Sequence, residues 1–432
     1  MEWIRSPEEK DGYMFDFMSF HKAIDVVLVI TIIQMIPMLV MAWSAVVALY
    51  GGTKKRMISG PECMKKTNHF AVIVCAHNEE TSLPYLLHSI EKQNYPKDKY
   101  HVYLMADHCT DGTAAIGQNL DFVTVYERED GPTNGKGDVL KWGLEKIFSE
   151  DTNHEIDAIA VFDADNVAKE DFLWEMNLKL NDGNQIVQGN RLGGQPYRSI
   201  VTKWYTIYWA AYTTCFSYVR EKLGLSVFLT GTGFAVDALI LRQEGWHTET
   251  ITEDVEFSIQ NIEKGRRVAF CYDAVCYDEQ PYQVGVMFNQ LARWTTGGYQ
   301  VLNRHFKGMI SKKNPIRKAQ RWDTLMLLLM GPCSWISAVI SLINAWIMLW
   351  NLPLIYSLPA ALFGLVGTIA LYLGILFSTG FNQIRRRRIG VIPFLTFPFF
   401  LLVYMLCSVK TCFFPTKKWK TIKHEALDAP QD

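Results

Sequence analysis

The sequence contains no C-x-x-C pair, and its 9 cysteines lie apart from one another without histidines at zinc-finger spacing. This pattern indicates neither a disulfide framework nor a structural zinc site, and it is typical of a reducing compartment. Net charge is almost absent too, because 43 Lys and Arg face 44 Asp and Glu, so we expect no nucleic-acid partner. The Walker A pattern G-x-x-x-x-G-K-[ST] is also missing, which argues against ATP-type phosphoryl transfer.

The composition indicates a protein that is part globular and part membrane. Hydrophobic residues make up 49% of the chain, charged residues only 20%, and the mean hydropathy is +0.02. These values are high for a soluble enzyme and low for a chain that lies wholly in lipid. With 432 residues, the chain is also too long for one ordinary domain.

Long apolar runs occupy four places, at 24–50, 325–350, 354–378 and 392–414. The first three are long enough to cross a hydrocarbon core of about 30 Å. The fourth is also long enough, but it contains two prolines and a basic tail follows it. A true span, a re-entrant segment and an interfacial segment are therefore all open for this run.

The distribution of Lys and Arg predicts the orientation. Acidic residues precede the first run and Lys54, Lys55 and Arg56 follow it, which places the N-terminus outside and the long middle of the chain in the cytoplasm. Residues 303–322 mix Lys and Arg with apolar side chains, which suits either a helix in the headgroup plane or a solvated linker.

These observations predict a multi-pass cell-membrane protein with one large cytoplasmic domain. Its predicted parts are an N-terminal extracytoplasmic segment 1–23, a transmembrane helix 24–50, a linker 51–69, a cytoplasmic α/β domain 70–302, a basic interfacial segment 303–323, a transmembrane region 324–414 of two to three helices, and a basic tail 415–432.

Within the α/β domain, three short apolar runs read as strands, at 70–74, 100–105 and 158–162. Polar residues follow each of them. Because ligands of open α/β sheets sit beyond the carboxyl ends of the strands, these residues are candidates for a binding site.

The first two strand ends carry acidic residues that suit a nucleoside. Glu79 follows the first strand, and Asp107 and Asp111 follow the second. Together they could accept hydrogen bonds from a uracil N–H and from ribose hydroxyls. The alternative is that Asp107 and Asp111 only cap a helix, since acidic residues are common at that position.

The next two features suit a diphosphate. Lys136 lies between two glycines, whose backbone can approach a phosphate while the lysine supplies a point charge. Asp163 and Asp165 follow the third strand, and two carboxylates so placed can bind one Mg²⁺ or Mn²⁺ that bridges a diphosphate.

Two later motifs suit the transfer step. Thr252-Glu253-Asp254 offers adjacent carboxylates, of which Asp254 is the predicted general base. The alternative, a capping box, is only partial because Val255 replaces the expected Glu or Gln. Farther on, Gln290, Arg293 and Trp294 share one helical face, which presents an amide, a guanidinium and an indole. A generic amphipathic helix would explain that spacing alone.

The set of motifs resembles the membrane-embedded family 2 glycosyltransferases, such as cellulose, hyaluronan, chitin and poly-N-acetylglucosamine synthases. The resemblance covers about 230 residues. It rests on Ala76-His77-Asn78-Glu79, Asp107 to Asp111, Asp163-Ala164-Asp165, Gly231-Thr232-Gly233, Thr252-Glu253-Asp254 and Gln290-x-x-Arg293-Trp294. His77 and Cys109 stand where Tyr and Ser are frequent in the family, and the predicted helices are fewer than in the large synthases.

The resemblance implies a GT-A nucleotide-sugar-binding domain with a mixed sheet flanked by helices, joined to transmembrane and interfacial helices. It implies that Asp254 deprotonates the acceptor and that Mg²⁺ or Mn²⁺ binds at Asp165 with Asp163 beside it. The implied donor-binding residues are Glu79, Asp107, Asp111, Lys136, Asp163 and Arg293. The implied acceptor-binding residues are Gly231, Thr232, Gly233, Glu253, Gln290 and Trp294, with Trp294 as the floor under the acceptor sugar.

The implied activity is inverting transfer from UDP-glucose or UDP-N-acetylglucosamine to the non-reducing end of a growing β-glycan, processive and coupled to export. The alternative is a single transfer onto a membrane lipid, either a polyprenyl phosphate or diacylglycerol. A non-catalytic nucleotide-binding sensor is a third interpretation. Because few helices are predicted, export would call for a homo-oligomer or an accessory export protein.

An aromatic stripe recurs at every fourth residue, at Trp204, Tyr208, Tyr212 and Phe216, and predicts a helix. It suits either core packing or a track on which sugar rings stack.

Overall fold

The computed structural model describes residues 8–54, 66–132, 135–311, 315–351 and 389–416. The predicted span 354–378 and nearly all of the predicted basic tail lie outside these ranges.

An eight-stranded mixed sheet forms the centre of the domain, in the order β3-β2-β1-β4-β7-β6-β8-β5. The strands are β1 (Phe70–Ala76), β2 (Tyr100–Asp107), β3 (Val123–Arg128), β4 (Ala158–Asp163), β5 (Asn166–Ala168), β6 (Ile186–Gly193), β7 (Phe234–Asp237) and β8 (Val268–Asp278).

One half of the sheet is parallel. β1 pairs with β2 on one side and with β4 on the other, and β2 pairs with β3. β1 reads as an almost unbroken apolar run because helices cover both faces of a parallel sheet. The predicted strands 70–74, 100–105 and 158–162 lie within β1, β2 and β4.

The other half of the sheet is mixed. β7 runs antiparallel to β4 and to β6, β6 runs parallel to β8, and β8 runs antiparallel to β5. The fold is therefore the mixed sheet flanked by helices that the resemblance implied.

Helices flank this sheet and extend from it. They are α1 (Glu8–Gly52), α2 (Leu83–Glu91), α3 (Thr113–Gln118), α4 (Lys136–Glu150), α5 (Phe172–Asn181), α6 (Ile200–Ala211), a π-helix (Tyr212–Tyr218), α7 (Val219–Lys222), α8 (Ala238–Glu244), α9 (Glu253–Glu263), α10 (Val284–Ile310), α11 (Lys318–Asn351) and α12 (Ile392–Phe413).

Each face of the sheet has its own hydrophobic core. On one face, Leu140 and Leu144 of α4 pack against Ile73 and Ile159 of the central strands. On the other face, side chains of α2 and α5 pack against the alternate residues of the same strands. The strands are fixed from both sides, so their carboxyl ends form a rigid edge.

A third core joins the domain to the apolar helices. It contains side chains of α6, the first half of α10, and α12. The aromatic stripe lies here, with Tyr208 in α6 and Tyr212 and Phe216 in the π-helix. The rings of Tyr212 and Phe216 are nearly parallel, at 4° and 5.4 Å between centroids. Such ring-to-ring contacts favour the core-packing interpretation of the stripe.

Three helices in the described ranges are long and apolar enough to cross a membrane, namely Asp25–Gly52 of α1, Lys318–Ile347 of α11, and α12. α1 begins at Glu8, inside the predicted N-terminal segment 1–23. The described residues of the predicted interfacial segment 303–323 divide between the end of α10 and the start of α11.

A buried ion pair fastens these helices to the domain. Arg220 Nε of α7 donates to Asp323 Oδ2 of α11 at 2.8 Å, and the two side chains are each only 1% exposed. Trp43 Nε1 of α1 donates to Asp323 Oδ1 at 2.9 Å. The same guanidinium donates to the Phe216 carbonyl of the π-helix.

Candidate active site

The predicted motifs meet at the carboxyl edge of the parallel strands. β1 ends at Ala76 and β4 at Asp163, with Cys75 and Asp163 in register. β2 ends at Asp107, paired with Arg128 of β3. The edge therefore carries the acidic residues that the sequence places after each strand.

The loops after β1 and β2 are joined by hydrogen bonds. Gly112 N donates to Glu80 Oε2 at 2.9 Å, and Thr110 N donates to Asn78 Oδ1 at 2.7 Å. Asn78 and His108 have φ values of 58° and 49°, a left-handed conformation that is uncommon outside glycine. Backbone of this kind concentrates at functional sites.

The three residues of the predicted nucleoside clamp lie in these loops or beside them. Asp107 Oδ1 accepts hydrogen bonds from Arg128 Nη1 at 2.6 Å and from His108 Nδ1 at 2.8 Å. Glu79 Oε2 accepts from Ser82 Oγ at 2.6 Å. Both carboxylates are only partly buried.

Asp111 has mainly local partners. Its carboxylate accepts from the backbone N–H groups of Thr113 and Glu80, at 3.0 and 3.2 Å, and from the Thr113 hydroxyl. Burial raises the pKa of Asp111, but these hydrogen bonds outweigh burial and hold the pKa below its usual value. The Asp111 side chain is therefore used within the turn before α3, although the cap residue of that helix is Gly112.

Lys136 lies among carboxylates at the first turn of α4. Its Nζ pairs with Asp163 Oδ1 and donates to the Gly231 carbonyl at 2.7 Å. Burial opposes its charge, but Asp163 and Glu253 are among the groups that raise the pKa of Lys136 above its usual value. The lysine therefore stays cationic and joins α4, the end of β4, and the glycine turn before β7.

Asp163 and Asp165 form the predicted metal site. Asp163 ends β4, and Asp165 Oδ1 accepts from Asn166 Nδ2 at 3.0 Å at the start of β5. No group of three or more His, Cys, Asp or Glu that could hold a metal occurs in the described parts of the chain. Two carboxylates fit Mg²⁺ or Mn²⁺ only where diphosphate and water oxygens complete the coordination.

The glycine turn before β7 lies between this edge and α9. Gly233 N donates to the Val161 carbonyl at 2.9 Å, and Asp163 N donates to the Thr232 hydroxyl at 3.0 Å. Gly231 and Gly233 have φ values of +86° and +61°, which side chains disfavour. A β-carbon on Gly231 would stand 3.5 Å from Asp254 Oδ2.

Glu253 and Asp254 form the first turn of α9. Thr252 precedes that turn, but its side chain makes no capping hydrogen bond, so the capping-box alternative is not realised. Burial raises the pKa of Asp254 above its usual value, and Arg293 and Lys136 oppose the increase. Burial and the charge of Asp254 also raise the pKa of Glu253.

α10 passes close to this turn. A β-carbon on Gly297 would stand 2.3 Å from the side chain of Thr252, so glycine alone permits the approach. Arg293 lies one helical turn earlier, and its positive charge acts on both Glu253 and Asp254. The predicted pairing of the two motifs is therefore present in the structure.

The other two residues of the α10 motif contact α6. Gln290 Oε1 accepts from the Tyr205 hydroxyl at 2.6 Å. The Trp294 ring is nearly parallel to Tyr208, at 26° and 6.1 Å, and nearly perpendicular to Tyr205 and Trp209. Trp294 is held rigidly and is only partly buried.

The sequence motifs did not include Arg191 of β6. Its guanidinium binds Asp278 of β8 and lies 4.6 Å above the Trp209 ring. Although burial lowers the pKa of Arg191, the carboxylates of Asp278, Asp163 and Asp165 raise it above its usual value. No local pattern marks this residue, because strand pairing alone brings it to the site.

In the sequence, Tyr212 stands out only as a member of the aromatic stripe. It is the first residue of the π-helix and is partly buried. Burial is the main cause that raises its pKa, and the negative charge of Asp254 contributes. Tyr212 therefore lies near the predicted base.

A family model described as "Glycosyltransferase like family 2" matches residues 67–297. The chain is 26% identical over 252 residues to "Probable glycosyltransferase YdaM" of Bacillus subtilis, with 56% of this chain and 58% of that protein covered. It is 27% identical over 272 residues to the beta-monoglucosyldiacylglycerol synthase of a Nostoc species, with 60% and 54% covered.

The chain is also 27% identical over 255 residues to the poly-beta-1,6-N-acetyl-D-glucosamine synthase of Staphylococcus aureus, with 56% of this chain and 58% of that protein covered. It therefore spans somewhat over half the length of these curated relatives. Among solved structures, it is similar to the mannosyltransferase PcManGT of Pyrobaculum calidifontis in complex with GDP-Man and Mn²⁺. That match has a TM-score of 0.62 and 16% identity, and it covers 89% of this chain and 98% of the other.

Proposed function

The chain belongs to the family 2 glycosyltransferases, and we propose that it transfers a sugar from a UDP-sugar to an acceptor hydroxyl, with inversion at the anomeric carbon. The family and the enzyme class predicted from the motifs are confirmed, and so is the GT-A-like fold. The donor, the acceptor and the residue roles below are our proposal.

The convergence of Gly231, Asp254 and Arg293 carries this proposal. Asp254 is partly buried beside the glycine turn, and Arg293 and Lys136 set its charge environment. A partly buried carboxylate beside a turn that carries no side chain is suited to receive a proton from a bound hydroxyl. Glu253, Thr232 and Gly233 would border the acceptor, and Trp294 would lie beneath its sugar ring.

The chemical step is one displacement. The acceptor oxygen attacks the anomeric carbon while its proton passes to the Asp254 carboxylate. The bond from that carbon to the diphosphate oxygen breaks, and UDP leaves from the opposite face. An α-linked donor therefore gives a β-linked product. Arg293 and Lys136 would stabilise the negative charge of the departing diphosphate.

Donor binding would use the loops at the sheet edge. Asp107 and Glu79 would bind the uridine, and Asp111 would shape the loop beside them. Asp163 and Asp165 would hold Mg²⁺ or Mn²⁺, and the ion, when bound, would neutralise diphosphate charge. Because the similar PcManGT structure contains GDP-Man, GDP-mannose is the donor to compare with UDP-sugars.

Two acceptors are candidates. One is the non-reducing end of a growing β-glycan, extended processively and exported, and this is our sequence-based prediction. The other is a membrane lipid. Export would require further helices, a homo-oligomer or an accessory protein. In either case we propose a multi-pass membrane protein with the catalytic domain on the cytoplasmic side.

The test is a donor screen with the full-length protein in lipid nanodiscs. Radiolabelled UDP-glucose, UDP-N-acetylglucosamine and GDP-mannose are each incubated with it, and product is separated into polymer and organic-soluble fractions. We expect transfer from a UDP-sugar, lost by about 10²-fold or more in Asp254→Asn. Nucleotide binding without transfer from any donor would instead support the sensor interpretation, and full activity of Asp254→Asn would refute the base assignment.

A further inference from the structure

A cavity of about 630 Å³ lies between α10, α11 and α12, outside the residues assigned above. Its size is typical of small-molecule sites. Side chains from all three helices line it. They include Thr296, Tyr299, Gln300, Leu302, Asn303 and Leu329.

The cavity lies where the globular domain meets the candidate membrane spans. Leu329 belongs to the span of α11, and Thr411 and Cys412 belong to the last turn of α12. Its α10 wall includes Phe306, an exposed ring on the domain side. A molecule in this cavity would therefore contact the bilayer on one side and the domain on the other.

The cavity is also next to the catalytic turn. Gln300 Oε1, in its wall, accepts from Ile251 N at 3.0 Å, and Ile251 shortly precedes Asp254. Arg293, Gly297 and Gln300 follow one another at helical spacing on α10, so they share one face. At 1.5 Å per residue, Gln300 is about 10 Å along the axis from Arg293. A head group held here would be close to the proposed base.

The lining is mostly apolar, with a few hydroxyl and amide groups and almost no charge. Hydroxyl and amide groups come from Thr296, Tyr299, Gln300 and Asn303, and Lys307 supplies the single charge among the described lining residues. A phosphate would call for several cations or a guanidinium fork. A mostly apolar lining with a few uncharged polar groups instead suits a lipid whose head group is uncharged and small, such as one that offers only hydroxyls.

Hydrogen bonds fix the part of the cavity wall around Tyr299. The Tyr299 hydroxyl is bonded to Trp335 Nε1 of α11 at 2.6 Å and to the Ser408 hydroxyl of α12 at 3.1 Å. The three helices thus meet at one hydrogen-bonded centre beside the cavity. A site of this kind is preformed, which reduces the entropic cost of binding.

We infer that this cavity binds the acceptor as a membrane lipid with an uncharged, hydroxyl-bearing head group. The inference rests on the proposed function and names the class of its acceptor: a neutral glycerolipid alcohol rather than a polyprenyl phosphate or a soluble glycan end. The acyl chains would lie along α11 and α12, and the head would extend along α10 toward Asp254.

Photolabelling tests the site separately from catalysis. The full-length protein in nanodiscs is irradiated with a photoactivatable diacylglycerol, and labelled peptides are identified by mass spectrometry. We expect labels within 296–307 or 411–415. Leu302→Trp, which narrows the cavity, should reduce labelling at least about fivefold, whereas Leu342→Trp, at an exposed position of α11 away from the cavity, should not. Labels elsewhere, or equal labelling of both variants, would overturn the inference.

Transfer is then measured on the same samples. Leu302→Trp should raise the KM for diacylglycerol about tenfold while the KM for the UDP-sugar changes less than about twofold. A parallel rise in both constants would indicate a folding defect and refute the assignment. If the wild type labels as expected but transfers no sugar, the proposed function fails while the lipid site stands.

The head-group charge is decided by a pair of variants at exposed Asn303. With a neutral lipid, Asn303→Asp and Asn303→Lys should change the KM for the acceptor by similar small factors. With a lipid phosphate, Asp should raise and Lys should lower the KM for polyprenyl phosphate, and that opposite response would overturn the uncharged class.

Discussion

The Asp254 carboxylate lies beside Gly231, so that a β-carbon on the glycine would stand 3.5 Å from Oδ2. Gly231 has a φ of +86°, and its carbonyl accepts from Lys136 Nζ. This one position therefore joins the left-handed turn, the lysine and the proposed base.

Gly231→Ala should reduce activity by more than its effect on stability explains. The left-handed backbone costs about 1 kcal/mol of unfolding free energy for alanine. Gly183→Ala is a matched control, because Gly183 has a φ of +88° but nothing within 4 Å of the added carbon. We expect similar losses in thermal unfolding, but a loss of turnover of about tenfold or more only at Gly231. Equal turnover in the two variants would contradict the placement of the acceptor.

The acid limb of the pH–rate profile should respond to Arg293. A carboxylate base acts only when deprotonated, so the rate falls as pH drops through the pKa of Asp254. Burial raises that pKa, and Arg293 lowers it. Arg293→Gln should therefore move the acid limb to higher pH.

Arg242→Gln is the control for this shift, because Arg242 pairs with Asp151, the residue that follows the end of α4, and not with Asp254. Its profile should keep the wild-type acid limb. The same displacement in both variants would show that the limb reports a general loss of positive charge and not the neighbour of Asp254.

Sugar transfer should require a divalent metal ion that is bound by Asp165. Chelation should abolish transfer, and Asp165→Asn should raise the Mg²⁺ concentration needed for half-maximal activity by about tenfold or more. Mn²⁺ binding in the presence of UDP, followed by electron paramagnetic resonance, should weaken in parallel. Asp121→Asn, at an exposed loop position, should leave both unchanged. Unaltered Mn²⁺ binding in Asp165→Asn would show that Asp165 does not bind the metal.

The ion pair of Arg220 and Asp323 should contribute strongly to stability where α7 of the domain packs against α11. Removing one partner leaves a buried charge, so Asp323→Asn should cost about 3 kcal/mol in unfolding free energy. Trp43→Phe removes one donor to the same carboxylate and should cost about 1 kcal/mol. The double variant Arg220→Met/Asp323→Leu should recover much of the loss in thermal unfolding. A double variant less stable than either single one would contradict this account.

His305 should make stability depend on pH. Burial lowers its pKa, but the nearby carboxylates of Glu256 and Glu263, the second of which is hydrogen-bonded to Nδ1 at 3.0 Å, outweigh burial and raise the pKa to about 9. A raised folded-state pKa stabilises the fold fully below the unfolded value near 6.5, and this stabilisation is lost as pH rises toward 9. His305→Gln should thus be less stable than the wild type by about 1–3 kcal/mol at pH 6, and closer to it at pH 9.5. A gap that widens with pH would contradict this sign.

The local part of the fold could be read from the sequence. The strands ending at Ala76, Asp107 and Asp163 are apolar runs followed by polar turns, and one motif follows each of them. The α10 motif lies on one helix as its spacing predicts. Patterns of this kind depend only on residues that are close in sequence, so they can be interpreted without knowledge of the tertiary structure.

The nonlocal part could not be read in this way. Arg191 reaches the site through its pairing with Asp278, 87 positions away. Asp111 was assigned to the nucleoside, but the turn itself uses its oxygens. The aromatic stripe predicted one regular helix, whereas the π-helix begins at Tyr212. A π-helix has more residues per turn than an α-helix, so side chains four apart lie on one face in both. The spacing of the aromatic residues alone therefore does not distinguish the two helix types.

The Trp43 indole and the Arg220 guanidinium share the Asp323 carboxylate, so the first apolar helix is packed directly onto the elements that join the domain to the candidate spans. A truncated protein that starts at Lys66 would lack Trp43. Asp323 would then lose this hydrogen bond, and its carboxylate would be exposed to water on that side. Preparations trimmed for solubility should therefore be compared with the intact chain before any weak turnover is attributed to the enzyme itself.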